Sequence, residues 1–200
     1  MDYEKMIQTL QKKGYKVSFF ESSPAAIEYI VENVRGVTVG FGDSVTLSSL
    51  KLAEYLQEHN SIVDPSKCAE VKFYNVAKEA LLTEVFFTSV NGAAETGELI
   101  NIDGSGNRIA GSLFGHKKVF FVFGTNKIEP TLEKAIWRAR NIAAPQNAKR
   151  LGLKTPCAVK GDKCYNCSSP DRICNTLNIY LRKMDGVEAE IIMINEKLGL

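Results

Sequence analysis

What this 200-residue chain lacks narrows its function before any motif is read. No stretch approaches the roughly 20 consecutive apolar residues of a membrane-spanning helix. The N-terminus, MDYEKMIQTLQKKGYK, has no apolar core and does not read as a signal peptide. Charge of one sign is missing as well: 25 Lys and Arg against 23 Asp and Glu leave a net +2, short of the clustered basic footprint that nucleic acid requires. Histidine is scarce, with only His59, at a helix end, and His116, in a turn before an apolar strand; neither is placed for catalysis. No G-x-G-x-x-G fingerprint follows a strand, so a dinucleotide bound in the Rossmann manner is not expected. Internal repeats and low-complexity tracts are absent. The chain reads as a cytoplasmic protein with neither membrane nor nucleic-acid partners. Its 44% hydrophobic content suffices for one well-buried domain over residues 1–200.

What the chain does have is cysteine in one place. Cys157, Cys164, Cys167 and Cys174 follow the spacing C-x6-C-x2-C-x6-C, with Cys164-Tyr165-Asn166-Cys167 as a tight central knuckle. Four thiolates can close a tetrahedral zinc site or hold a four-iron four-sulfur cluster. Free or disulfide-bonded cysteine is the bland alternative, disfavoured because nothing marks the chain as exported. Thr155 to Asn175 is polar and rich in Gly, Pro and Ser, so it cannot build a core; it reads as a metal-knit insertion at about 155–175. Cys68 stands alone and reads as a small buried hydrophobe.

The remaining sequence predicts strands alternating with helices. Helices are expected at Met1–Lys13, Ala25–Val34 (after a Ser22 hydroxyl cap and Pro24), Leu47–His59, Pro65–Leu82 and Pro130–Ile142. Strands are expected at Tyr15–Phe20, Val37–Val39, Glu84–Val90, Lys118–Phe123, Leu177–Leu181 and Ala189–Asn195. This rhythm predicts an open α/β sheet, largely parallel, with helices on both faces. In the middle, Glu98–Ile102 and Arg108–Ala110 around a Gly-rich turn predict a β-hairpin.

Three loops at strand ends carry the candidate chemistry. Gly40-Phe41-Gly42-Asp43-Ser44 removes side-chain bulk and offers a hydroxyl beside a helix N-terminus, where anions are favoured. The bland reading is a tight turn with Asp43 or Ser44 as a cap. Asn91-Gly92, followed by Glu95-Thr96-Gly97, supplies a carboxylate able to act as base or nucleophile and a hydroxyl; the bland reading is a solvated connector. Gly124-Thr125-Asn126-Lys127 presents Lys127 to an anion. The expected pocket therefore joins Gly40, Gly42, Ser44, Asn91, Thr96, Gly97, Gly124 and Lys127, with Glu95 as the candidate catalytic residue. Arg108 is ambiguous, since a hairpin arginine often only solvates an exposed face.

Three segments in order, GFGDSVTL (Gly40 to Leu47), NGAAETGELINIDGSGNRIAG (Asn91 to Gly111) and VFFVFGTNKIEPTLEKAIWRAR (Val119 to Arg140), resemble the LUD-domain family of lactate-utilization proteins related to LutC and YkgG. The resemblance spans roughly residues 2 to 195 and implies a fold like that of NagB, RpiA and the coenzyme A transferases, whose strand-end loops bind anionic substrates. It also implies a place beside iron–sulfur subunits in the oxidation of L-lactate to pyruvate. The four-cysteine block looks like one found in stand-alone members from anaerobes. Lactate oxidation needs electron carriers and only one C-x2-C knuckle is present, so an iron–sulfur cluster is favoured, with zinc as the alternative. Three functional classes stay open: a redox accessory to organic-acid oxidation, a self-contained isomerase or transferase with structural zinc, and an anion-binding regulatory module. The expected partners are a small anionic metabolite and iron–sulfur or flavin proteins, with a homodimer also open.

Overall fold

The first helix, α1 (Tyr3–Lys12), lines Met6 and Leu10 along one buried stripe and ends before Gly14, whose φ of +92° turns the chain into β1 (Lys16–Phe20). The computed structural model describes residues 3–200, with Glu70 in backbone only, so Met1 and Asp2, where this helix is expected to begin, lie outside the described residues. Pro24 sits in the first turn of α2 (Ser23–Asn33) as the sequence predicts. The Ser22 cap does not form. Glu196 replaces it, accepting hydrogen bonds from the Ser23 amide and hydroxyl at 2.7 Å each.

After β2 (Thr38–Phe41), the single helix expected from Leu47 to His59 is two: α3 (Val45–Ser49) and α4 (Leu52–Leu56). Lys51 separates them in the left-handed region at φ +51°. Leu47, Leu50, Leu52, Ala53 and Leu56 are all buried, yet at 3.6 residues per turn they would spread around a straight helix; the break lets both halves face the sheet. An additional strand, β3 (Ser61–Val63), is too short to show alternation in the sequence. The helix expected from Pro65 to Leu82 shrinks to α5 (Phe73–Ala80) behind two 3-10 turns. Cys68 lies in extended backbone between those turns, half-buried rather than in the core.

The central hairpin is a correction. Following β4 (Val85–Thr88) and β5 (Gly92–Ala94), residues Leu99–Asp103 do form a strand, β6, but its hairpin partner is β5, through the Glu95–Glu98 turn. Arg108-Ile109-Ala110 instead belongs to a helix, α6 (Asn107–Leu113). The Asp103 carboxylate accepts from the Arg108 and Ile109 amides at 3.1 and 3.3 Å, satisfying donors that a helix start leaves unpaired.

The apolar strand β7 (Lys118–Gly124) runs into β8 (Ile128–Glu129). Then α7 (Leu132–Arg138), capped by the Thr131 hydroxyl, continues through a wide π turn at Ala139–Ala143 into α8 (Ala144–Arg150), well past the expected end at Ile142. A short helix, α9 (Pro156–Lys160), opens the cysteine segment, and β9 (Thr176–Tyr180) and β10 (Glu188–Ile194) close the chain.

Six strands form one parallel sheet in the order β1-β10-β7-β4-β2-β3. Alternation along β7 splits the core: Val119, Phe121 and Phe123 face α1, while Phe120 and Val122 face α2, α3 and α4. Phe41, Phe87 and Phe120, on adjacent strands, stack at centroid spacings of 5.5 and 4.5 Å. A second sheet, β8-β5-β6-β9, mixes parallel and antiparallel pairs and is covered by α7 through Ala135 and Ala139. The expected α/β architecture with a parallel sheet therefore holds, but the late strand β9 lies in this second sheet. Among the described residues, no helix is long and apolar enough to cross a membrane.

Gly40 works by packing. A Cβ there would stand 2.4 Å from the Ala80 carbonyl oxygen and 2.6 Å from Thr83 Oγ1. Gly40→Ala is expected to cost about 1–3 kcal/mol through overpacking, and to lower Tm by roughly 2–10 °C. Calorimetry checks it, and a Tm equal to wild type would refute the packing role.

Candidate anion-binding site

Successive strands step outward from β2 to β3, then return to β4 and proceed to β7 on the other side. The order thus reverses between β2 and β4, and loops leaving such a point diverge and leave a crevice beyond the strand ends. A cavity of about 160 Å³ lies there, walled by Asp43 and Ser44 after β2, Ser89 to Asn91 after β4, Lys127 after β7, Arg108 from α6, and Asn147 and Arg150 from α8.

Lys127 is the residue around which this cavity is built. Its side chain is 3% exposed, and Nζ donates to Thr46 Oγ1 at 2.9 Å, the Val90 carbonyl at 3.0 Å and Ser89 Oγ at 3.1 Å. None of the ion pairs among the described residues involves it. The contrast with Glu190 is direct: that carboxylate, fully buried on β10, has Lys118 at 2.7 Å, Lys16 at 3.3 Å, Tyr29 and Ser18. Burial, reinforced by the positive charges of Arg138 and Arg108, pushes the Lys127 amine down to about 7.

Neighbouring groups fix this geometry. Arg138, itself buried, donates to the Asn91 carbonyl at 2.5 Å and the Asn126 carbonyl at 3.2 Å, tying the β4 and β7 exit loops together. Arg108 donates to the Ile102 carbonyl at 2.7 Å and meets Asp103 at 3.4 Å, so its guanidinium is held at the wall. Asp43, at φ +38°, faces Arg108 and Arg150; partial desolvation by the cavity walls raises its carboxyl above the usual range against their pull. The walls set Lys127, Arg108 and Arg150 against Asp43 and Asp103, and because Asp103 is engaged by Arg108 and the α6 amides, the balance suits a ligand bearing negative charge.

Of the expected pocket residues, Ser44, Asn91 and Lys127 line this cavity. Gly42 stands just behind it, where a Cβ would press on Arg108 Cγ at 3.0 Å; Gly124 lets the segment through Glu196 and Leu198 approach the β7 exit. Gly40 packs against the end of α5, as described. Glu95, Thr96 and Gly97 are elsewhere, on the β5–β6 turn, where Gly97 abuts Thr9 of α1 and Lys13 just beyond it, and Thr96 bonds Glu98. Strand β5 is the reason: Asn91 precedes it and Glu95 follows it, so they lie at opposite ends of the hairpin. Thr46, Ser89, Asn147 and Arg150 carry no expected role in the sequence, and Arg108 is ambiguous there because the mistaken hairpin puts it on an exposed face. Asn147 and Arg150 lie beyond the expected end of their helix. His116 is structural: it is buried, stacked on Phe86 at 4.8 Å, with Nδ1 2.6 Å from the Thr83 carbonyl, and burial lowers its pKa.

The four cysteines of the C-terminal segment, all half-buried and free of disulfides, line one small cavity of about 20 Å³. The Asn166 amide donates to Cys164 Sγ at 3.3 Å from a left-handed residue at φ +45°, and Arg140 Nη2 stands 4.0 Å from the same sulfur. Among the described residues, no group of three or more His, Cys, Asp or Glu is gathered closely enough to hold a metal ion.

The sequence profile of the LUD domain matches residues 3–194. The chain belongs to the LUD-domain family. That family is associated with lactate utilization. No curated protein matches the chain. The crystal structure of a DUF162 family protein from Deinococcus radiodurans is similar in fold, with a TM-score of 0.53 at 12% identity, covering 96% of this chain and 95% of that one.

Lys127 makes the stability of this LUD-domain protein depend on pH. The amine loses its proton near pH 7 when folded and near 10.5 when unfolded. Between those values the unfolded chain binds more protons, so stability rises with pH across that window. Lys127→Met removes the dependence. Urea unfolding of both proteins from about pH 6 to 10 should shift the difference toward wild type, by on the order of a few kcal/mol. A difference that stays flat would refute the buried amine.

Proposed function

We propose that the protein binds a small organic-acid anion in the cavity at the ends of β2, β4 and β7, and serves organic-acid oxidation of the L-lactate-to-pyruvate type as a redox accessory. The observation that carries this reading is Lys127: a buried amine without a carboxylate partner, on a cavity that also holds Arg108. A buried cation is costly unless paired, and a bound carboxylate supplies the missing partner. The reading takes the open sheet as one of the NagB, RpiA and coenzyme A transferase type, in which strand-end loops receive anionic ligands. Glu95 has no part in it, because it does not line the cavity.

The cysteine segment is the redox half of the reading. Convergence of Cys157, Cys164, Cys167 and Cys174 on one cavity, an amide aimed at Cys164 Sγ and Arg140 beside it are the surroundings that thiolate-held metals require. These cysteines would hold the centre only after their loop gathers the sulfurs more closely than the structure has them. A four-iron cluster there would supply one-electron transfer, delivered to or from an iron–sulfur or flavin partner. Zinc is the second reading, favoured by the size of the cavity: about 20 Å³ suits one ion better than a cluster once the sulfurs are drawn in. In that case the metal only knits the loop, and the protein is an isomerase, a transferase or an anion-responsive regulator.

Anaerobic purification decides between them. Near-stoichiometric iron and sulfide, reducible by dithionite, supports the redox accessory; one zinc per chain rejects it in favour of the second reading. Cys167→Ser is expected to lose most of the metal in either case, and metal content unchanged in this variant would remove the centre. For the cavity, lactate and pyruvate are expected to raise Tm by a few degrees, the size of about 1–2 kcal/mol of ligand stabilisation. Lys127→Met should abolish the rise. Stabilisation by sugar phosphates with turnover, and none by either acid, would overturn the assignment.

A further inference from the structure

We propose that Lys127 is the reacting amine of the cavity and forms an imine with the carbonyl carbon of a 2-oxo acid whose carboxylate lies toward Arg108. The inference rests on the anion-binding reading above and names the second functional group its ligand must carry.

The geometry around Nζ supports it. A lysine that serves only to hold charge is normally pinned by a carboxylate, as Lys118 is by Glu190 at 2.7 Å. The partners of Lys127 are two hydroxyls and one carbonyl oxygen, Thr46 Oγ1, Ser89 Oγ and the Val90 carbonyl. Hydroxyls donate to a neutral amine as readily as they accept from an ammonium. The charged groups around it do not favour the ammonium either. Arg138 approaches from α7 and Arg108 from α6, and both oppose a positive charge on Nζ. Asp43 and Asp103 lie across the cavity, but Asp103 is engaged by Arg108 and the α6 amides. Burial and two guanidiniums are the conditions under which a lysine amine becomes a nucleophile near neutrality.

The step balances without a further reagent. The Nζ lone pair bonds to the carbonyl carbon, and the π pair moves to oxygen, which takes a proton. The nitrogen lone pair then expels that oxygen as water and forms the C=N bond. Both amine protons leave in the water, and Ser89 and Thr46, 3.3 Å apart, offer a hydroxyl path for them. Nothing is oxidised or reduced. A 2-hydroxy acid such as lactate can occupy the same cavity but has no carbonyl to attack.

Reductive trapping tests this on the full chain. With pyruvate and cyanoborohydride, the peptide containing Lys127 is expected to gain the mass of pyruvate less one oxygen atom before any other lysine reacts; lactate should give no adduct. The trapping rate should climb through about pH 7, where surface lysines remain protonated. Lys127→Arg should lose the adduct, and if that variant does not fold, peptide mapping of the wild type decides alone. Thermal shifts with lactate and pyruvate run beside it. A shift without an adduct at Lys127, or adducts spread evenly over surface lysines, overturns the imine and leaves the anion cavity standing. Neither shift nor adduct removes both.

Discussion

A single buried amine with no opposite charge sets the terms for the rest of the site. Lys127 emerges from the most apolar strand of the sheet and ends among hydroxyls and a carbonyl. Holding it there requires the exit loops of β2, β4 and β7 to keep fixed positions, since Thr46 follows β2, Ser89 and Val90 follow β4, and Lys127 itself follows β7. Arg138 bonds two of those loops through their carbonyls, and the stacked Phe41, Phe87 and Phe120 fix the strands beneath them. The passing segment closes over the top, where a Cβ on Gly199 would stand 3.2 Å from Nζ. Hydrophobic packing of an ordinary kind is thus what keeps an uncompensated polar group dry.

The sequence made the parallel sheet legible because its strands are apolar runs flanked by helices, a pattern that needs no long-range knowledge. The break at Lys51 and the short β3 were not legible. One depends on which leucines the sheet face can accept, the other on pairing with β2. The Gly-rich turn after β6 misled for a local reason: Asp103-Gly104-Ser105-Gly106 looks like a hairpin turn, but Asp103 spends its carboxylate on the amides that begin α6. That error left Arg108 ambiguous, as an arginine on an exposed hairpin. For the site, Ser44, Asn91 and Lys127 from the three strand-end loops line one cavity. Glu95 could not be excluded from sequence, since nothing in NGAAETG tells which end of a short hairpin meets the cavity.

The cysteine segment is joined to the anion cavity by more than sequence proximity. Ala144 and Ile173 line both cavities, so one layer of side chains separates the thiols from the space beneath Arg150. Gly104, on the cavity wall, sits so close to this segment that a Cβ would meet the Ile173 carbonyl at 2.8 Å. A rearrangement of the cysteine loop that shifted Ile173 toward Gly104 would therefore press on the cavity wall.

The π turn at Ala139–Ala143 carries a consequence for how the two halves of this long helix are related. A wide turn holds one residue more than a regular one, and each residue of an α-helix advances the facing direction by about 100°. The extra residue acts as a phase shift. Ahead of it, Ala135 and Ala139 lie against the second sheet; behind it, Asn147 looks into the cavity and Pro145 is accommodated inside the helix, where its missing amide would otherwise break the bonding pattern. Sheet packing and part of the cavity wall are thus given to one continuous rod, kept apart in angle rather than in distance.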